Sequence, residues 1–208
     1  MQYEIEVIHI IKKGDYMQEN EFLDRKIKDC QFAINSSQII LVVKDKLYFY
    51  QKINKKWQRL IVAHCIYGEN GYSQDRHEGD KTTPIGEFRL LYAFGTEDNP
   101  GTKMKYRKIL DTSYFSNDCN NLQQYNRWAE SDKPIKGEHL IEYPKEYHYG
   151  VVIGFNIEPV TLGMGSGIFL HCKGNKNYTA GCIAVDDNVM LNLLKLLEPG
   201  GYIVLCNE

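Results

Sequence analysis

The sequence carries no excess of either charge: 25 Lys and Arg stand against 27 Asp and Glu, a formal net charge of −2. That balance excludes the basic face and high isoelectric point of a typical nucleic-acid binder. Long apolar runs are also missing; nothing approaches the ~18–20 residues that cross a bilayer as a helix. The opening Met1-Gln2-Tyr3-Glu4-Ile5-Glu6 has no basic start, apolar stretch or small-residue cleavage site, so no leader peptide is read there. The six cysteines (Cys30, Cys65, Cys119, Cys172, Cys182 and Cys206) form no CxxC pair and no dense cluster, which argues against a disulfide framework. There is no internal repeat and no low-complexity tract. What is present is a 208-residue chain, 43% hydrophobic and 12% aromatic, with 15 tyrosines. That is enough for one domain with a sizeable core and too apolar for disorder.

Residues 1–35 read as an extension and 36–208 as the main domain. In the extension, Tyr3–Ile11 has strand composition, while Leu23, Ile27 and Cys30 fall at a weak helical spacing within Glu19–Cys30. Gln38–Val43 and Lys46–Tyr50, separated by Lys44-Asp45, read as a β-hairpin. Trp57–Tyr67 is a further strand, ending in the turn Gly68-Glu69-Asn70-Gly71. The region 71–150 is rich in Gly, Asn, Asp and Pro; it predicts long irregular loops around short strands such as Glu87–Phe94. Strands resume at Gly150–Asn156, Gly167–Cys172, Cys182–Val185 and Tyr202–Cys206. One helix is clear, near 187–198: Val189, Met190, Leu193, Leu194 and Leu197 form its apolar face. Asp186 or Asp187 would cap it, and Pro199-Gly200-Gly201 would stop it. The expected class is mostly β.

The chemistry concentrates in Ile168–Val185, Ile-Phe-Leu-His-Cys-Lys-Gly-Asn-Lys-Asn-Tyr-Thr-Ala-Gly-Cys-Ile-Ala-Val. A histidine ends one strand, a polar loop follows, and a Gly-Cys pair enters the next strand. Two strands so joined could set His171 beside Cys182, where an imidazole would take the thiol proton and make the sulfur a nucleophile. Gly181 would let the backbone approach a substrate closely, and the Cys182 N–H with a neighbour could face a developing oxyanion. The same residues also fit a plain buried cysteine beside a satisfied core histidine. A zinc site using His171, Cys172 and Cys182 is disfavoured, because adjacent strand residues point to opposite faces.

This segment resembles the active-site motif of the L,D-transpeptidases, the YkuD or ErfK/YbiS/YcfS/YnhG family, in which a histidine and a variable loop precede Ser-His-Gly-Cys-Ile-Arg. Upstream, Asp80-Lys81-Thr82-Thr83-Pro84-Ile85-Gly86-Glu87-Phe88 resembles the family's Asp-x-x-Thr-Pro-x-Gly-x-Phe signature, and the Gly68-x-Asn70-Gly71 turn is similarly placed. The resemblance covers about residues 36–207. Thr179 stands for the common Ser, Ala180 for the His and Ala184 for the Arg, as in a divergent branch. The resemblance implies a β-sandwich with Cys182 as nucleophile and His171 as base and later acid. It also implies that the Cys172 backbone carbonyl orients His171, and that the Gly181 and Cys182 N–H groups form an oxyanion hole. The implied reaction is acyl transfer on peptidoglycan stem peptides: the thiolate forms a thioester and expels the terminal D-alanine, and an amine of a second stem resolves it. Water as acceptor would make an L,D-carboxypeptidase. The losses at 180 and 184 also suit an inactive peptidoglycan- or peptide-binding module. The resemblance implies no metal and no cofactor, a place in the cell envelope, and carbapenem-type β-lactams as covalent inhibitors. The absence of a leader in the chain leaves acyl transfer on a cytoplasmic amine as a further reading.

Candidate substrate contacts are His139, Tyr149, Arg127 and Thr179, with Trp128 beside Arg127 and His148 beside Tyr149. Gly163-Met164-Gly165-Ser166-Gly167 precedes a strand rather than a helix, so it reads as a flexible connector and not a phosphate loop. Thr83-Pro84-Ile85-Gly86 reads as a structural turn that shapes the groove.

Overall fold

The computed structural model describes residues 13–207. In chain order the elements are α1 (Lys13–Asp29), β1 (Gln38–Val43), β2 (Lys46–Ile53), β3 (Lys56–Ile66), β4 (Tyr72–Ser73), β5 (Thr83–Pro84), β6 (Gly86–Gly95), β7 (Tyr106–Lys108), β8 (Ser113–Ser116), β9 (Arg127–Glu130), β10 (Gly137–His139), β11 (Gly150–Ile153), β12 (Phe169–Cys172), β13 (Ile183–Val185), α2 (Asp187–Leu196) and β14 (Tyr202–Cys206). Strands dominate, as expected. The strand expected at Tyr3–Ile11 lies outside the described residues.

Nine strands form one sheet in the order β11-β12-β13-β3-β2-β1-β14-β6-β7, and β6 pairs with β11 as well. The long β6 achieves this by changing partners: Gly86–Arg89 lie against β14, whereas Leu90–Phe94 lie against β11. That switch turns the sheet back on itself and closes a ring of strand pairings. A separate antiparallel sheet, β10-β8-β9, carries the irregular middle of the chain.

Three apolar clusters hold the frame. The main core lies inside the closed sheet and under α2, with Ile40, Val42, Phe49, Leu170, Ile183, Met190, Leu193, Leu194, Ile203 and Leu205 all buried. The second lies on the opposite face, where Leu23, Ile27 and Cys30 at the end of α1 meet Ile39, Leu41, Tyr48, Tyr50 and Val204. Strand β1 therefore buries both of its faces, alternate residues going to the core and to α1, which is why Ile-Ile-Leu-Val-Val runs without a polar break. The weak helical spacing in the extension is a real helix, and its apolar stripe is what covers this face. The third cluster gathers Phe94, Phe115, Leu140, Tyr147 and Phe169 around Cys182.

Helix α2 matches the expected position but not the expected cap. Asp186 is its N-cap residue and makes no capping hydrogen bond through its side chain. Its carboxylate instead pairs with Lys173 at 3.2 Å, and that of Asp187 with His148 at 2.9 Å. The two acids are drawn toward basic groups by β12 rather than folded back onto the helix. The Gly163–Gly167 run is also not a loose connector. Its Gly165 N–H donates to the Tyr125 hydroxyl and its Gly167 N–H to Asn126 Oδ1. Asn156 Nδ2 donates to the Gly165 carbonyl.

Candidate active site

His171 stands near the end of β12 and Cys182 just before β13; these strands are parallel neighbours, with His171 in register with Ala184. Both residues line one cavity of about 570 Å³, together with Arg76, Glu138, Tyr147, Ser166, Thr179 and Ala184. The structure thus brings the two central sequence candidates together. His171 is buried, and its Nδ1 lies 2.7 Å from the Cys172 carbonyl oxygen. A carbonyl only accepts, so Nδ1 carries the proton and Nε2 of the neutral ring is the basic atom. Burial holds the imidazole below its ordinary pKa, which keeps it neutral at pH 7.

The thiol of Cys182 is buried against Phe169 and Tyr147. Its Sγ accepts from the Phe169 N–H at 3.3 Å and donates to the Gly167 carbonyl at 3.3 Å. Burial pushes its pKa up to about 12, against the pull of the Phe169 N–H. At rest the sulfur is therefore a neutral thiol. The thiol donates to Gly167 and not to His171, so this bond has to break before His171 can take the proton.

The turn carrying the cysteine is tied by two threonines. The Thr179 hydroxyl donates to the Cys182 carbonyl at 2.6 Å and accepts from the Gly181 N–H at 3.0 Å. Of the two expected oxyanion donors, Gly181 is thus already engaged. Thr179, expected to touch substrate, lines the cavity but commits its hydroxyl to this turn. From the upstream motif, the buried Thr83 hydroxyl accepts from the Gly68 N–H and donates to the Gly181 carbonyl, each at 2.9 Å. Gly181 adopts φ +137°, and a Cβ there would collide with the Arg76 guanidinium and the Thr82 carbonyl, so this position requires glycine.

The other three substrate candidates lie away from the cavity. On β10, Glu138 is in register with Phe115 of β8 and both face the cavity, whereas the next pair, His139 and Tyr114, faces the other way. There His139 stacks on Tyr114 at 4.3 Å between rings, with Nε2 2.6 Å from the Asp111 carbonyl oxygen and Nδ1 3.1 Å from Glu142. One residue of strand period decides this. Tyr149 stacks on His148 at 4.7 Å and packs on the main core. Arg127 is exposed on β9, and Trp128 beside it donates to Glu130 at 2.6 Å.

Sequence reasoning missed Arg76, Glu78, Glu138 and Tyr147. Glu138 is held above its ordinary pKa by burial, although the Tyr147 hydroxyl donates to it at 2.7 Å. Tyr147 in turn lies edge-on to His171 at 5.5 Å between rings. The ligand atoms of His148, Cys172 and Asp187 lie within 4.8 Å of one another and are a metal-compatible set. None of these three residues lines the cavity.

The sequence profile of the YkuD family, described as the L,D-transpeptidase catalytic domain, matches residues 37–205. No curated protein matches the chain. Among solved structures, the chain is similar to the helical cell shape determining protein Pgp2 (K307A mutant) from Campylobacter jejuni, with 19% identity, a TM-score of 0.49, and coverage of 95% of this chain and 58% of that one. It is also similar to Bdellovibrio bacteriovorus Bd1075, with 15% identity, a TM-score of 0.46, and coverage of 82% and 48%. For Mycobacterium tuberculosis L,D-transpeptidase 1 the values are 13%, 0.39, and 83% and 62%. The matched region spans about half to three-fifths of the length of these solved chains.

Proposed function

This chain belongs to the YkuD family of L,D-transpeptidase catalytic domains, and on that premise we propose that it performs cysteine-dependent acyl transfer on peptidoglycan stem peptides. The observation that carries the reading is the shared cavity of Cys182 and His171, with the imidazole fixed through Nδ1 on the Cys172 carbonyl. That bond leaves Nε2 as the acceptor for the thiol proton. Thiol and imidazole are both neutral at rest, so the proton moves as the sulfur attacks and not before. Sγ adds to the carbonyl carbon of the stem peptide bond while Nε2 takes its proton. The C–N bond then breaks, Nε2 returns the proton to the departing D-alanine nitrogen, and a Cys182 thioester remains. An amine of a second stem, deprotonated by Nε2, attacks the thioester and releases the thiol. Water in its place gives the carboxypeptidase reaction. Carbapenem-type β-lactams would acylate the same sulfur.

The Cys182 N–H supplies an oxyanion donor, and Gly181 supplies a second once its N–H leaves Thr179. The catalytic domain on this reading is 36–208, with 1–35 as an extension that docks through α1, and the place of action is the cell envelope. Among the described residues no helix is long and apolar enough to cross a membrane. The test is incubation with purified tetrapeptide muropeptides, read by mass spectrometry. Loss of D-alanine with cross-linked dimers is the expected result, and loss without dimers makes the enzyme a carboxypeptidase. Cys182→Ala should abolish both and leave the fold intact; turnover in that variant would refute the reading. The burial of the thiol and its bond to Gly167 favour a second reading, a stem-peptide-binding module. Binding of muropeptides without any thioester at Cys182 would establish that one.

A further inference from the structure

Arg76 is the buried cation of the cavity. It is 4% exposed. Its Nη1 donates to the Thr82 carbonyl, its guanidinium lies against Gly181 and Gly165, and its Nε is buried with no hydrogen-bond partner. Among the described residues it makes no ion pair. Of the two nearby acids, Asp80 is close enough for the guanidinium to help lower its carboxyl pKa without forming an ion pair, and both acids make their hydrogen bonds to other groups. Glu78 Oε2 accepts from the Tyr125 hydroxyl at 2.6 Å and from Ser166 at 2.8 Å. Asp80 accepts from the His77 N–H at 2.7 Å, and from the Thr82 N–H and hydroxyl at 2.8 and 2.9 Å. The other cations of the cavity rim are differently placed: Lys81 is paired with Glu69 at 2.6 Å on the surface, and Lys176 lies over Tyr178. Ala184, which faces the cavity from β13 beside His171, offers only a methyl.

A buried guanidinium with no carboxylate in direct contact and an unpartnered Nε is costly, and a ligand anion relieves that cost. We propose that Arg76 receives the terminal carboxylate of the acyl-donor peptide. This rests on the reading of Cys182 as the attacking group and adds to it the residue that reads the donor's free end. The guanidinium lies against the Gly181 backbone, one residue from the sulfur. In a peptide cut at its last bond, the terminal carboxylate carbon is two bonds beyond the scissile nitrogen, within about 4 Å of the carbonyl carbon. A carboxylate at Arg76 therefore sets that carbonyl over Cys182. A donor with one more residue would carry its carboxylate past the guanidinium and lose this contact. Arg76 is a specificity-determining residue, and proton transfer stays with His171.

The test is binding to the full chain carrying Cys182→Ala, which separates recognition from turnover. The probes are a synthetic stem tetrapeptide ending in D-alanine with a free carboxylate, and the same peptide as its C-terminal amide. The acid should bind about tenfold or more tightly than the amide. Adding Arg76→Gln should remove that preference, and Arg76→Lys should keep part of it. Equal affinity for acid and amide with Arg76 present overturns the proposal and does not depend on how the variants fold. So does an acid preference that survives in a folded Arg76→Gln protein, or the absence of saturable binding by either peptide. The acyl-transfer reading fails by a separate sign: the unmutated protein forms no thioester, whichever peptide binds.

Discussion

Thr83 and Gly181, 98 positions apart in the chain, are joined by a hydrogen bond of 2.9 Å from the threonine hydroxyl to the glycine carbonyl. The same hydroxyl accepts from the Gly68 N–H. One buried oxygen thus fastens the upstream Thr-Pro-x-Gly turn, the Gly68 turn and the residue before the candidate nucleophile. The turn does not line the cavity itself; it holds the backbone that presents Cys182.

Thr83→Val keeps the shape and removes both bonds. It leaves a buried N–H and a buried carbonyl unsatisfied and should cost about 1–3 kcal/mol, read from chemical denaturation. Thr83→Ser should recover most of that loss. Equal stability of the valine and serine variants would show that the hydroxyl is not what holds the turn.

Alkylation of the resting protein follows from the burial of the sulfur. At pH 7.5 iodoacetamide should label half-exposed Cys119 before Cys182. With the Cys182 pKa near 12, its labelling should rise roughly tenfold per pH unit from pH 7 to 9, because the thiolate is the reacting species. Peptide mapping by mass spectrometry reads both sites. A Cys182 rate that is already flat below pH 8 would reveal a preformed thiolate–imidazolium pair.

If the chain acts as proposed, the acid limb of its turnover should belong to His171. Burial disfavours its imidazolium and places its pKa below 6.5, so the ring remains a competent base to lower pH than a free imidazole. The kcat/KM profile on a stem tetrapeptide should lose activity only below about pH 6.5. The linked stability has the matching sign. The unfolded chain takes up the proton first, so stability from this group is present above pH 6.5 and is lost as pH falls toward the folded pKa. An acid limb centred above 7 would contradict the buried, neutral imidazole.

Leu23→Ala tests the docking of α1. Leu23 is fully buried against the outer face of β1 and β2, and its truncation should cost about 2–5 kcal/mol. Under conditions where the variant remains folded, alkylation of Cys182 should be unchanged, since α1 does not line the cavity. A stability loss below about 1 kcal/mol would mean that the helix covers this face without contributing to it.

The frame and the two central residues were readable because each left a local mark. Alternation and turn residues marked the β1–β2 hairpin, and helical spacing marked α2. The motif around His171 and Cys182 marked the cavity. What was not readable depended on relations between distant segments. The direction of Glu138 and His139 depends on how β10 registers with β8, which residues 137–139 do not encode alone. Arg76 sits in a polar stretch where an arginine would ordinarily be solvated, and only the fold encloses it. One signal was available and unused: the unbroken apolar run of β1 calls for cover on both faces. That requirement points to the helix at Leu23 and Ile27 as a working part of the sheet.

Strand β14 lies inside the sheet, parallel to β1 from Ile39 opposite Tyr202 to Val43 opposite Cys206. Every residue lining the cavity falls between those two strands along the chain. The whole site is therefore one large loop whose mouth is closed by a pairing of five register positions. Closing such a loop carries its entropy cost before the contacts that reward it exist, and topologies of this kind fold slowly. A thiol probed during refolding should stay reactive until β14 docks and then slow, so that Cys182 reports in time on a strand that lends its cavity no residue.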